Sequence, residues 1–309
     1  MRQLPFSMAV TLTGGQELLL VLAGLGAGVV NGAAGGGTLI SFPALLAVGY
    51  PALTANVTST VGIWPGYLGG VAGFRQEVAQ QRDQLRPLTG TVVGGAVLGG
   101  LLLLTTPSGD FRSLAPYLLL FSCLLFGAQP WLASRLRVAG TRAGAGGEGA
   151  SREGAGGEGA GGEGAGAGGA SGGGAQVEGA GAEGASDGAG RRSHLVFLHG
   201  GCFVAAVYGS YFGAGLGVVL LAVLGLATAE PLARVNGLRS VLSLIVNTVA
   251  LVIFVAHAHI AWGAAGLMDG SALVGGYVGA RIARRVPTVV LRSVIVVVGL
   301  VTAVYLLFN

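Results

Sequence analysis

A glycine-broken apolar segment occurs twice in this chain, and each copy interrupts a stretch otherwise suited to a membrane-crossing helix. The first copy reads Asn31-Gly-Ala-Ala-Gly-Gly-Gly-Thr38 and the second Tyr211-Phe-Gly-Ala-Gly-Leu-Gly217. A constant offset of 180 residues carries Ala34, Gly35 and Gly37 onto Ala214, Gly215 and Gly217, and Asn56 onto Asn236. The same offset carries Gly95 and Gly99 onto Gly275 and Gly279. Hydrophobic helices interrupted at corresponding places in two halves are the mark of a binding site in a repeat-built transporter.

Composition agrees. Hydrophobic residues make up 52% of the chain and charged residues 10%, which excludes an ordinary soluble domain. Apolar runs of about 20 residues, each able to cross a bilayer core, lie near 17–48 (broken), 52–74, 87–105, 115–132, 195–226 (broken), 231–256, 260–282 and 289–307. All 17 basic side chains are arginine, and they flank these runs instead of forming one basic face, so no nucleic-acid partner is expected. Cys123 and Cys202 fall inside apolar runs and read as small packing residues. No metal-ligand spacing is present and no cofactor is expected. The apolar N-terminal stretch runs directly into the Asn31 element, so it reads as part of the mature protein and not as a signal peptide.

Between 140 and 193 the character changes. Glu148, Glu153, Glu158 and Glu163 recur every five residues in a Gly/Ala background that has nothing to bury, which predicts a disordered tether. The chain thus divides into a first membrane repeat (1–139), a Gly/Ala/Glu linker (140–193) and a second membrane repeat (194–309). Loop arginines set the orientation. Arg75, Arg82 and Arg86 follow the second segment, whereas its counterpart in the other half carries only His257 and His259. The loop after the third segment has Arg112, against Arg281, Arg284 and Arg285 in its counterpart. Because arginine-rich loops face the cytoplasm, equivalent loops fall on opposite sides. The expected fold is all-α and polytopic, with two inverted repeats. Each repeat has a broken first segment, re-entrant or a hairpin, followed by three transmembrane helices.

The residues Gly26-Ala-Gly-Val-Val-Asn-Gly-Ala-Ala-Gly-Gly-Gly37, Phe42-Pro43 and Thr54-Ala-Asn56 resemble the first-half motif of the TauE/SafE sulfite-exporter family. The second half is similar to it as well, in Tyr211–Gly217, Arg234-Val-Asn-Gly-Leu-Arg239 and Gly275-Gly-Tyr-Val-Gly-Ala-Arg281. The resemblance covers nearly everything except the linker. It implies a permease for sulfite, sulfonates or related organosulfur anions, often outward-directed. Two departures stand out: the acidic tether is longer than the usual connection, and Arg239 stands where the family often has lysine.

Asn236, Arg239, Ser240, Ser243 and Asn247 recur at helical spacing, so they share one face of an apolar helix. Their first-half counterparts are Asn56, Ser59, Thr60, Ile63 and Tyr67. A polar stripe of this kind should face a cavity. An arginine suits a sulfur oxyanion because its planar fork donates two parallel hydrogen bonds, and the glycine breaks add exposed amides and half-helix N-termini that favour anions. The expected substrate site is therefore Arg239 with Asn31, Gly35, Gly36, Gly37, Thr38, Asn56, Gly213, Gly215, Asn236 and Ser240. Asp269, near the middle of its segment, is the candidate for proton coupling; pairing with Arg239 and a hydrated helix end are its other readings. Trp64, before Pro65, reads as packing at a kink, and Gly95/Gly99 and Gly275/Gly279 as close helix contacts.

The expected protein is a multi-pass transporter of the cell membrane whose partners are a small anion and the lipid bilayer. The competing readings are an anion channel, a transporter of another small organic anion, and an intramembrane enzyme. The last lacks a nucleophile with a base, or a second carboxylate, at membrane depth. The coupling ion (proton or sodium) and assembly as a homo-oligomer stay open.

Overall fold

The computed structural model describes residues 12–33, 35–129, 183–228, 230–282 and 288–308, and the described residues are helical or in short connections. In the first half α1 (Gly14–Ala33) and α2 (Thr38–Val48) flank the first glycine break, followed by α3 (Ala52–Gly62), α4 (Trp64–Gly73), the short α5 (Arg75–Ala79) and α6 (Arg82–Thr105). Helix α7 (Ser108–Gln129) closes that half. The second half comprises α8 (Glu183–Tyr211), α9 (Leu216–Ala227), α10 (Leu232–His257), α11 (Trp262–Ile282) and α12 (Thr288–Phe308). Each half thus has the expected order of a broken segment followed by three apolar segments. Gly14–Ala33, Asp83–Thr105, Ser108–Gln129 and Ala233–His257 are long and apolar enough to cross a membrane. This is a helical membrane protein.

Local sequence explains where the chain turns. Helix α2, with 11 residues, is only about 16 Å long at 1.5 Å per residue, roughly half a bilayer core. It ends at Gly49, whose left-handed φ of 103° lets its N–H return to the carbonyls of Leu45 and Leu46. Proline opens the next helix in both halves. Pro51 precedes α3 with ψ 147° and Pro231 precedes α10 with ψ 142°, again 180 residues apart. The halves then differ. Pro65 cannot donate a backbone hydrogen bond, and the helix is interrupted at Ile63 between α3 and α4, whereas α10 runs unbroken for 26 residues. Trp64 sits at that kink as expected, its indole N–H donating to Thr248 Oγ1 of α10 at 3.0 Å.

The tether boundary moves. Helix α8 begins at Glu183, so residues 183–193, expected as disordered, are helical backbone. They continue a membrane helix that is already nucleated, and extension needs only one hydrogen bond per residue. The remaining tether, 140–182, lies outside the described residues.

The most extensive helix contacts join the halves crosswise: α1 packs on α11, and α6 on α8. Both contacts use the paired glycines. A Cβ at Gly95 would stand 2.6 Å from the Phe203 carbonyl oxygen, and one at Gly99 would stand 2.9 Å from the Val207 carbonyl carbon. In the mirror contact a Cβ at Gly275 would stand 3.0 Å from Val29 N, and one at Gly279 would stand 2.6 Å from Val29 Cα. Only a missing side chain permits such backbone approach, the usual solution for helices packed in lipid. The outward surface carries large apolar residues such as Leu22, Leu101, Leu124, Val196, Val252, Val301 and Phe308. Cys123 and Cys202 are free and buried.

Candidate functional site

The two glycine breaks meet at the centre of the molecule. In the first, Gly35 has φ 76°, and its N–H donates to the Val30 carbonyl at 2.9 Å, closing the end of α1. The side chain of Asn31 then caps the start of α2, with Oδ1 accepting from Gly37 N–H at 2.7 Å. Tyr211 occupies the equivalent position of the second break and has no amide to offer. There Gly213 and Gly215 take φ 80° and 82°, and Gly217 N–H crosses to the carbonyl of Gly35 at 3.1 Å. One break caps itself and the other is capped by the first.

Further polar side chains fix this junction. Asn56 Nδ2 donates to the Tyr211 carbonyl at 3.0 Å, and Ser122 Oγ of α7 donates to the Ala214 carbonyl at 3.0 Å. Ser59 and Ser41 share a hydrogen bond through their hydroxyls. Thr38 lies against Gly213, where a Cβ would come within 3.1 Å of Thr38 Oγ1.

Beside the junction is a pocket lined by Asn31, Gly35, Tyr67, Gly70, Arg239, Ser240 and Ser243. It is narrow, with room between the side chains for about one water molecule. Arg239 enters it from α10, eight residues beyond Pro231 and so about 12 Å along the helix. The side chain is 1% exposed, and neither Nε nor Nη1 has a hydrogen-bond partner. These two nitrogens belong to different edges of the guanidinium, so whichever edge faces the cavity brings an unpaired N–H. A Cβ at Gly35 would stand 3.0 Å from Arg239 Nη1, which places the cation directly against the first break. Asn31 Nδ2 and Ser243 Oγ are likewise buried without a partner. The Tyr67 hydroxyl lies beside the side-chain amides of Asn31 and Asn247, in the field of Arg239. No carboxylate lines the pocket, and the ion pair among the described residues, Arg234 with Glu230 at 2.9 Å, lies at the exposed start of α10.

Of the residues expected in a site, the pocket gathers Asn31, Gly35, Arg239 and Ser240. Gly37, Thr38, Asn56, Gly213 and Gly215 build the junction that supports it. Gly36 faces the ring of Phe126, and Asn236 lies half-buried one turn before Arg239. Asp269 does not pair with Arg239; its Oδ1 is buried without a partner on α11. The polar stripe does turn inward, since Arg239, Ser240, Ser243 and Asn247 are all buried, as are Asn56, Ser59, Thr60, Ile63 and Tyr67. Tyr67 and Ser243 were visible as stripe members, but their place in the pocket was not. Gly70 carried no signal beyond small size.

The family model for the sulfite exporter TauE/SafE matches residues 20–306, which takes in both breaks, the stripe and both glycine pairs. The chain belongs to the TauE/SafE family. A relative described as "Probable membrane transporter protein ORF9", from Sinorhizobium sp, is 32% identical over 112 residues. That match covers 36% of this chain and 42% of the relative, so the chain spans less than half of that relative's length. No solved structure matches. The junction of the two breaks and the pocket beside it lie within the region that the family model matches.

Proposed function

We propose that the protein is a secondary transporter of small sulfur-containing anions such as sulfite or organosulfonates, working outward across the cell membrane as a multi-pass protein. The observation that carries this reading is Arg239: a guanidinium buried in an apolar bundle, with unpaired N–H groups on a narrow pocket. Insertion scales put a cation at such depth at about 2.5–3.5 kcal/mol. With no carboxylate beside it, an anionic ligand is the natural complement. Half-helix N-termini and glycine amides around the junction add to the positive field.

The first break lines the pocket through Asn31 and Gly35, and the second is tied to it by the Gly217–Gly35 hydrogen bond. Separation of the breaks on one side and then the other would give alternating access about a fixed site. The unequal arginine content of equivalent loops in the two halves supports an inverted arrangement. The narrowness of the pocket favours a carrier over the alternative of an anion channel. Transport of another small organic anion is the second alternative, and the assay distinguishes it.

The test is flux of labelled sulfite, sulfoacetate, sulfate and acetate into proteoliposomes, with Arg239→Ala beside wild type. Saturable movement of a sulfur anion, lost in the variant, is the expected result. Equal flux and apparent affinity in Arg239→Ala would remove the arginine from the site, and non-saturating flux would favour the channel.

A further inference from the structure

The pocket holds more donors than an arginine needs for a planar anion. An edge of the guanidinium satisfies two coplanar oxygens. Also lining the cavity are Asn31 and Tyr67 from the first half and Ser243, one turn beyond Arg239 on α10; Asn31 Nδ2 and Ser243 Oγ are buried and without partners. The orientation of Asn31 is fixed by a bond already made. Asn31 Oδ1 is occupied by Gly37 N–H, which leaves its amide protons to the pocket. Asn247 Nδ2 donates to the Ser243 carbonyl at 2.9 Å, and its side chain lies beside the Tyr67 hydroxyl. The donors come from both halves: Asn31 and Tyr67 from the first, Arg239 and Ser243 from the second.

We propose that Tyr67 and Ser243 are specificity-determining residues that read a third oxygen on the anion. This inference rests on the reading of Arg239 as the anion contact. Once the breaks part far enough to admit it, a pyramidal or tetrahedral head group places two oxygens on the guanidinium edge and projects a third out of that plane. The third oxygen accepts from Tyr67 Oη, Ser243 Oγ and Asn31 Nδ2. A carboxylate is planar; it satisfies the arginine and leaves the other donors unpaired. In a pocket this narrow little water is available to replace the missing oxygen, and a site built to hydrogen-bond a group rejects ligands that lack it. The pseudo-equivalent location does not repeat the arrangement, because Ser59 stands in place of Arg239 and its hydroxyl is already bonded to Ser41.

Methanesulfonate and acetate make a matched pair of probes, each a methyl group with one negative charge and differing in oxygen number and head-group shape. Their dissociation constants are measured calorimetrically on the full-length purified protein and on Tyr67→Phe, Ser243→Ala and Arg239→Gln, each checked for a monodisperse elution profile. Wild type should prefer methanesulfonate by about 30-fold or more, and loss of one donor to a charged ligand should reduce that ratio about 10-fold in Tyr67→Phe or Ser243→Ala. Acetate binding should barely change in those two variants, and both probes should be lost in Arg239→Gln. A wild-type ratio near unity, or a ratio preserved in both Tyr67→Phe and Ser243→Ala, overturns the inference. Arg239→Gln that binds both probes like wild type overturns the anion-site reading itself, a separate outcome.

Discussion

Asn31 and Tyr211 occupy equivalent positions in the two halves and do different things. Asn31 supplies the amide that caps its own break; Tyr211 gives its carbonyl to Asn56 and pairs its hydroxyl with Thr106. The repeat itself was legible in the sequence because it is a pattern of glycines at a fixed offset. Which member of each pair would touch a ligand was not, since that depends on contacts between residues as distant as 31 and 239. Tyr67 shows the difficulty: it aligns with Asn247, and only the folded chain reveals that the two side chains face one another. Asp269 raises a further question at this scale. Its carboxylate does not neutralise Arg239, and a buried oxygen without a partner suits a group that binds and releases a proton. In Asp269→Asn, flux should lose its response to an imposed pH gradient while tracer exchange of the anion continues. An unchanged gradient response would exclude this residue from coupling.

At the scale of elements, the interrupted helices were readable from Gly and Pro alone: four glycines with left-handed φ and a proline before α3 and α10 mark where the segments end and begin. The kink at Ile63 was readable from Trp64-Pro65. The start of α8 at Glu183 was not, because a Gly/Ala/Glu background carries no periodicity to separate helix from coil. The hydrogen bond from Gly217 to Gly35 is the element-level contact that holds the breaks together, and Gly35 has no room for a side chain. A Cβ there would stand 2.7 Å from Gly217 Cα and would also force a non-glycine residue into the left-handed region, at a cost of about 1–2 kcal/mol. Gly35→Ala should therefore lower the thermal midpoint in detergent and sharply reduce transport. Gly266→Ala, on α11 where nothing lies within 4 Å, should do neither. Equal behaviour of the two variants in a melting and flux comparison would deny the junction its role.

Across the whole molecule, the halves exchange their glycine-bearing helices. Helix α11 of the second half covers α1 of the first, and α6 of the first covers α8 of the second. That crosswise packing could be anticipated only in part: the small-residue spacing announced close contacts without saying which helix would fill them. The inverted orientation proposed from loop arginines has a direct test. In a background of Cys123→Ser and Cys202→Ser, single cysteines replace Gln80, after α5, and His259, after α10, both exposed. An impermeant thiol reagent should reach one from outside the cell and the other only after the membrane is opened. Labelling of both from the same side would make the halves parallel.

The unequal capping of the two breaks bears on how such a chain could have arisen from duplication. Two identical halves would bring an arginine at position 59 as well as 239, and so a second uncompensated cation in one apolar core, a heavy penalty for a bundle held together by backbone contact. Serine at 59, bonded to Ser41, relieves the molecule of that charge and leaves the two halves unlike beside their junction. The two halves share a frame of glycines, and at this pair of positions only the second carries the cation.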